Sequence, residues 1–457
     1  MDYTAVGQTT HLAARMEQMA DPGSILMPPD TLRLAEGFIQ VQPLGPVNVR
    51  GLQTAVETFA LIGASPVRSR LQAAAARGFT KFVGRDPELA HLDESLEQAK
   101  GGRGQVVAVV GEPGVGKSRL FWEFTHSYRT RGCLILEASS VSYGRATPYL
   151  PVIDLLRAYF QLDPGDDGRK IREKIGGKLL ALDQALMPTL PALLSLVGAT
   201  VDDPTWQSTD PALRRRRTLD GVKALLLRES QVEPLIVIFE DLHWIDGETQ
   251  AMLDSLVESL PAARMLLLVN YRPEYAHGWA SKTCYRQLRL DPLTAESTDD
   301  LLTALLGEDL SLGPLKRLLI DRSERNPFFL EESVQGLVET GALEGERGAY
   351  RLIHTPETLR IPATAQAILA ARIDRLSPED KRLLQVSAVI GKDVPLSLLQ
   401  AGADEPEERL RAELGRLRAA EFLYEARLFP DLEYTFKHAL THEVAYGALL
   451  NEQRKAL

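Results

Sequence analysis

Residues 111–118 read GEPGVGKS and follow QVVAVV at 105–110, so a β-branched run suited to a buried strand ends in the pattern G-x4-G-K-S. No other feature constrains the chain as strongly. Glycines let successive backbone N–H groups turn toward a polyphosphate, Lys117 reaches its β- and γ-phosphates, and the Ser118 hydroxyl stands ready to ligate Mg²⁺. A helix is expected directly after the loop, with its N-terminal dipole aimed at the anion. The structural alternative is a Gly-rich turn with a chance lysine, and the flanking strand and helix argue against it. The sequence thus predicts nucleotide binding through Gly111, Glu112, Pro113, Gly114, Val115, Gly116, Lys117, Ser118 and Arg119.

A chain of 457 residues exceeds what one core fills and fits about three domains. The balance of 62 acidic against 52 basic residues gives a net charge of −10, which disfavours a broad nucleic-acid footprint. RRRR at 214–217 is the one basic run, and it opens a helical pattern (Leu219, Val222, Leu225, Leu226) whose arginines need only be solvated. Cys133 and Cys284 are the only cysteines and lie outside any metal spacing, so no disulfide framework is expected and a reducing cytoplasm is. No run is long enough to span a membrane, and no secretory leader is read.

Four apolar runs, VVAVV at 106–110, CLILEAS at 133–139, LIVIF at 235–239 and MLLLVN at 265–270, alternate with amphipathic helices. That alternation predicts an α/β domain over 79–290, with a parallel sheet covered on both faces. Residues 145–230 read as mainly helical, and so does most of the chain beyond Asp291. Near the C-terminal end, FLYEARLFPDLEYTFKH reads as a β-hairpin packed on short helices. At the other end a helix from Thr10 to Ala20 and the β-rich FIQVQPLGPVNVRG form an α+β piece over 1–62, followed by a linker at 63–78.

LIVIFEDLHWID at 235–246 puts Glu240 and Asp241 where a buried strand ends. Hydrolysis of a phosphoanhydride needs one carboxylate to hold Mg²⁺ and another to orient or deprotonate the attacking water. By position Glu240 is the metal carboxylate and Asp241 the water-positioning one. The next run ends in VNYRPEY, where Arg272 emerges at the same edge and either senses the γ-phosphate or is a surface arginine.

FVGR at 82–85, GEPGVGKS, IFEDLHWID, Arg272 and RNPFFLEE at 325–332 together resemble the signal-transduction NTPases of the STAND class, within the wider AAA-like ATPases. The resemblance spans about 79–450 and implies a P-loop NTPase sheet, a helical lid at 291–365, and a winged-helix-like domain with the start of helical repeats at 366–457. It also implies ATP or ADP with Mg²⁺, with Val83, Gly84 and Arg85 over the adenine and ribose and Pro327 approaching from the lid. Many members carry Asp where Glu240 stands, so slow turnover is expected. Members act as switches that close around ATP and open after hydrolysis, and downstream repeats would recruit protein partners. RIDRLSPEDKRLLQVSAVIG at 372–391 and YTFKHALTHEVAYGALL at 434–450 look like the edges of the winged-helix unit. His438 and His442 are spaced to share a helical face but lack a third metal ligand.

DYTAVGQTTHLAARMEQMADPGSILM at 2–27 is similar to the end of class III nucleotidyl cyclase domains. The resemblance implies transition-state roles at His11, where an asparagine is usual, and at Arg15, with Thr4 at an adenine-reading position. Those cyclases carry their metal-binding aspartates and purine-selecting lysine upstream of this segment, so no cyclic nucleotide is expected from this chain alone. The expected parent is a longer protein like the soluble adenylyl cyclases, whose cyclase output the ATPase regulates, with the cyclase module paired in cis or as a dimer. Two alternatives stay open: a non-hydrolysing, nucleotide-bound scaffold, and the ATPase core of a transcriptional regulator.

Overall fold

The computed structural model describes residues 8–20, 24–29, 31–32, 39–47, 56–64, 79–140, 147–163, 165–353, 364–391, 393–403, 406–427 and 432–449. Packing divides the chain into two units, residues 80–372 and residues 1–79 with 373–457.

The N-terminal piece has a helix α1 (Gln8–Met19) and three antiparallel strands, β1 (Leu26–Met27), β2 (Ile39–Val47) and β3 (Val56–Ala64), in the order β1-β3-β2. Strand β2 carries Pro43 and Pro46, which have no N–H to donate, and it lies on the edge, where that loss is tolerated. Strand β3 continues to Ala64, two residues into the expected linker, and positions 65–78 lie outside the described residues.

The second unit opens with α2 (Asp86–Lys100), β4 (Gln105–Val110), α3 (Lys117–Thr125) and β5 (Leu134–Ser139). A helical insert follows: α4 (Leu150–Tyr159), α5 (Gly168–Leu182), α6 (Leu190–Leu196), α7 (Pro204–Ser208) and α8 (Pro211–Val232). Then come β6 (Leu235–Glu240), α9 (Gly247–Ser259), β7 (Met265–Tyr271) and β8 (Tyr285–Arg289). The five strands are all parallel in the order β5-β6-β7-β4-β8, as the alternation predicts. Strand β8, YRQLR, escaped sequence reading because it is an edge strand and mixes polar with apolar residues.

In β6, Leu235, Val237 and Phe239 pack on one face among the insert helices, while Ile236 and Ile238 pack on the other against α2 and α3. Burial on both faces explains the unbroken apolar run, and each such side chain contributes about 1.5–3 kcal/mol. The arginine run sits in the first turns of α8, whose start is capped by Asp210 accepting from the Ala212 and Leu213 N–H groups. Arg215 donates to Glu248, Arg216 faces Asp220 at 3.8 Å, and both are exposed, as a solvated helical face requires.

Over the expected lid at 291–365 lie α10 (Ala295–Leu306), α11 (Gly313–Arg322), α12 (Pro327–Glu339) and the paired strands β9 (Leu343–Glu344) and β10 (Arg351–Leu352), and α13 (Ala365–Asp374) follows. Its leucine core includes Leu302, Leu312, Leu315, Leu319 and Leu330. The second unit runs through Arg372, whose side chain is buried against Glu332 and Glu339 of α12.

The C-terminal piece reads α14 (Pro378–Ile390), β11 (Asp393–Pro395), α15 (Leu396–Ala403), α16 (Glu407–Ala419), β12 (Leu423–Arg427), β13 (Glu433–Phe436) and α17 (Ala439–Gly447), with sheet order β11-β13-β12. The expected hairpin is β12–β13. His438 and His442 do not share a helical face: His438 is the extended residue that caps α17, and the His442 ring bonds to Ala388 O at 2.9 Å. Among the described residues, no group of three or more His, Cys, Asp or Glu side chains is arranged to hold a metal ion. No helix among them is long and apolar enough to cross a membrane.

Candidate nucleotide-binding site

Because β4, β6 and β7 run parallel, the loop at 111–118, the Glu240–Asp241 pair and Arg272 all emerge at the carboxyl edge of one sheet, where ligands of open α/β folds bind. Gly114 and Gly116 take φ of +83° and +99°, conformations open to glycine, and Gly116 caps α3. The loop is thereby turned so that α3 begins at Lys117 with its N-terminus facing the loop.

Lys117 is buried, and its Nζ donates to Gly111 O at 2.8 Å and Glu112 O at 3.0 Å. Burial holds its pKa below the usual lysine range; Asp241 opposes that shift and Arg272 reinforces it. The Ser118 hydroxyl donates to Glu240 Oε2. These are hard oxygen donors of the kind Mg²⁺ prefers, brought into contact from α3 and β6, so the pair fits a magnesium site.

Asp241 is left-handed at φ 57° and ψ 46°, a conformation that costs an L-residue about 1–2 kcal/mol. Its N–H donates to Asn270 Oδ1 at 2.8 Å, and Asn270 Nδ2 donates to Glu240 Oε2 at 3.2 Å. Sequence reasoning missed Asn270, although a lone amide inside the apolar run MLLLVNY was the available signal. Arg272 lies with its guanidinium carbon 5.8 Å from the centre of the Trp244 ring. Beside it His243 is buried, and desolvation pushes its pKa down to about 4.

The FVGR segment lies between the loop and the lid. Val83 packs on the lid core, and at Gly84 (φ +65°) an added Cβ would stand 2.2 Å from Ser297 Oγ on α10. Arg85 is tied to the protein itself, donating to Val115 O at 3.2 Å, Asp291 O at 2.7 Å and Glu88 at 3.2 Å. Arg119 on α3 holds Glu123 and donates to Thr80 O at 3.2 Å. The hydroxyl of Thr80 in turn donates to Glu331 of α12.

Pro327 is the first residue of α12, and its neighbour Asn326 makes the contact with the loop. Asn326 Oδ1 accepts from the Phe328 and Phe329 N–H groups, while its Nδ2 donates to Pro113 O at 2.9 Å. The Phe328 N–H also reaches Gly114 O at 3.3 Å. Sequence reasoning named Pro327 and missed Asn326, for which an asparagine before a proline at a helix start, an N-cap pattern, was the available signal. Arg15 lies in α1, where it bonds Gln18, far along the chain from these residues. His11 falls within α1, and Thr4 lies outside the described residues.

Residues 81–269 match the family model described as AAA ATPase domain. Across 463 aligned residues the chain is 25% identical to an uncharacterized protein of Rhizobium meliloti, covering 99% of this chain and 43% of that protein. The chain thus spans less than half the length of that curated relative. Among solved structures it is similar to a Signal Transduction ATPase with Numerous Domains protein with a tetratricopeptide repeat sensor from Pyrococcus horikoshii, at 12% identity and a TM-score of 0.43, over 81% of this chain and 43% of that one. It is also similar to RuvB of Thermotoga maritima, at 15% identity and a TM-score of 0.32, over 78% of this chain and 92% of that one. Residues 81–269 are an AAA-type P-loop ATPase domain.

Proposed function

We propose that this chain is an ATP-binding, Mg²⁺-dependent signalling NTPase of the STAND type, whose state regulates a cyclase module in cis or in a dimer. The observation that carries the nucleotide reading is the bond from Ser118 to Glu240, which joins the phosphate loop to the acidic strand end. Lys117 neutralises the β- and γ-phosphates, and Asp241 orients a water and takes its proton. The water oxygen bonds to the γ-phosphorus as the bond to the β–γ bridging oxygen breaks, leaving ADP and phosphate. Mg²⁺, held by Ser118 and Glu240, would supply charge neutralisation on the phosphate oxygens. Arg272 senses the γ-phosphate, and Val83, Gly84 and Pro327 border the nucleoside.

The order helix, strand, helix, helix and hairpin over 378–436 supports a winged-helix module after the lid. In its third helix Arg409, Arg411, Arg416 and Arg418 are each paired with an acidic side chain, which supports a relay role over reading nucleic acid. The likeness of residues 2–27 to cyclase domains, with Thr4, His11 and Arg15, supports the cyclase assignment. A cytoplasmic location belongs to the same reading, supported by two free cysteines. Recruitment of protein partners through helical repeats belongs to the same reading.

The test is incubation with Mg²⁺ and ATP beside Lys117→Ala and Asp241→Ala, resolving ADP, cyclic AMP and ATP by chromatography. ADP formed only by the unmutated chain supports the switch. ATP retained but uncleaved replaces it with the scaffold, and absence of binding removes the nucleotide reading.

A further inference from the structure

The lid helix α12 is held at both ends by polar chemistry. At its start Asn326 caps the helix with Oδ1 and clasps the phosphate loop with Nδ2. Further along, Arg372 of α13 forks onto two carboxylates: Nε donates to Glu339 at 2.9 and 3.0 Å, and Nη1 donates to Glu332 Oε2. The Arg372 and Glu332 side chains are each 1% exposed and Glu339 is 24% exposed.

Glu332 and Glu339 stand seven residues apart, two helical turns, and so share one face of α12. An ion triad this deep is poor value for stability, because desolvating its charges offsets most of their attraction. A flat apolar contact would hold the same helices together while letting α12 rotate or slide. A planar guanidinium with its donors in a rigid fork, gripping two carboxylates two turns apart, admits one rotation and one axial position.

That position matters at the other end. An added Cβ on Gly114 would lie 2.7 Å from Phe328 Cβ and 2.8 Å from Asn326 Oδ1, so the loop and the helix start are in contact with no slack. A shift of α12 by a fraction of an ångström moves either the loop or the Asn326 clasp.

We propose that Arg372 is a positioning residue of the nucleotide site: by locking α12 in rotation and height, it sets Asn326 on the phosphate loop and so tunes nucleotide affinity from beyond the site. Along the helix, Glu332 and Glu339 lie about 9 and 20 Å from Asn326. The proposal rests on the nucleotide-binding reading above.

The experiment is an equilibrium MgATP titration of the full chain and of Arg372→Met, Arg372→Lys, Asn326→Ala and the double variant Arg372→Met/Asn326→Ala, each well below its melting temperature. Arg372→Met is expected to weaken ATP binding by roughly three- to thirty-fold, the usual reach of distal coupling. In the Asn326→Ala background the same change is expected to add nothing, because its route to the loop is gone. Arg372→Lys keeps the charge and loses the fork, so it is expected to recover folding stability without recovering affinity. Should Arg372→Met not fold, Glu339→Gln takes its place in the cycle, since Arg372 then keeps its bond to Glu332. Unchanged affinity in a folded variant, full affinity in Arg372→Lys, or losses that simply add would each overturn the proposal. An unmutated chain that binds no ATP would overturn the nucleotide reading along with it.

Discussion

Asn270 holds Asp241 in a left-handed conformation by accepting its backbone N–H at 2.8 Å, from the strand next to the one Asp241 follows. The same amide donates to the Glu240 carboxylate at 3.2 Å, so one fully buried side chain sets the place of both acids. Asn270→Leu removes both bonds while keeping the branch at Cγ. ATP turnover is expected to fall roughly ten- to hundred-fold, as for other residues that orient metal and catalytic ligands, with a smaller change in KM. Steady-state ADP release measures this, and unaltered kcat would show that Asp241 keeps its conformation without help.

Gly114 and Gly102 both have φ near +80°, but only Gly114 faces neighbours inside van der Waals distance. Alanine at Gly102 is expected to cost about 1 kcal/mol of backbone strain. At Gly114 it must also push Phe328 and Asn326 away, adding about 1–3 kcal/mol. Urea midpoints compare the two, and nucleotide affinity should fall for Gly114→Ala alone.

His243 gives the chain an acid-side sensitivity. Desolvation lowers its folded pKa from the ordinary 6.5 to about 4, so between those values the unfolded chain binds the extra proton. Stability contributed by the neutral ring is therefore complete above pH 6.5 and lost as pH falls toward 4, on the order of 3 kcal/mol in all. His243→Gln should flatten the stability profile between pH 4 and 6.5; an unchanged slope would assign it to other groups.

Ser118→Ala removes one of the two oxygen donors paired at the candidate metal site. The Mg²⁺ concentration needed for half-maximal ATP binding should rise roughly ten- to hundred-fold, while binding of ADP in EDTA stays the same. Equal losses with and without Mg²⁺ would assign Ser118 to the phosphate instead.

Much of the site was legible because its physics is local. GEPGVGKS needs left-handed glycines beside a helix start, and both occur where the pattern puts them. LIVIFED declares a strand buried on two faces that ends in acid, and β6 is that strand. What escaped was long-range. Arg85 donates to Asp291 O, more than 200 positions away, a contact that no local pattern announces. Arg372 reads as one more helix arginine until α12 is packed against it. Strand β8 carries too weak an apolar signal to be recognised without its neighbour β4.

The strand order has a consequence for how the protein is made. Val106 of β4 pairs with Leu267 and Tyr285, both more than 150 residues later in the chain, while β5 pairs with β6 and β6 with β7. During synthesis the phosphate loop therefore leaves the ribosome long before the strand beneath it has any partner, and closing so long a loop is slow. Ser118, Glu240 and Asn270 come together only once β7 has arrived, so the candidate site is among the last features of the sheet to be assembled.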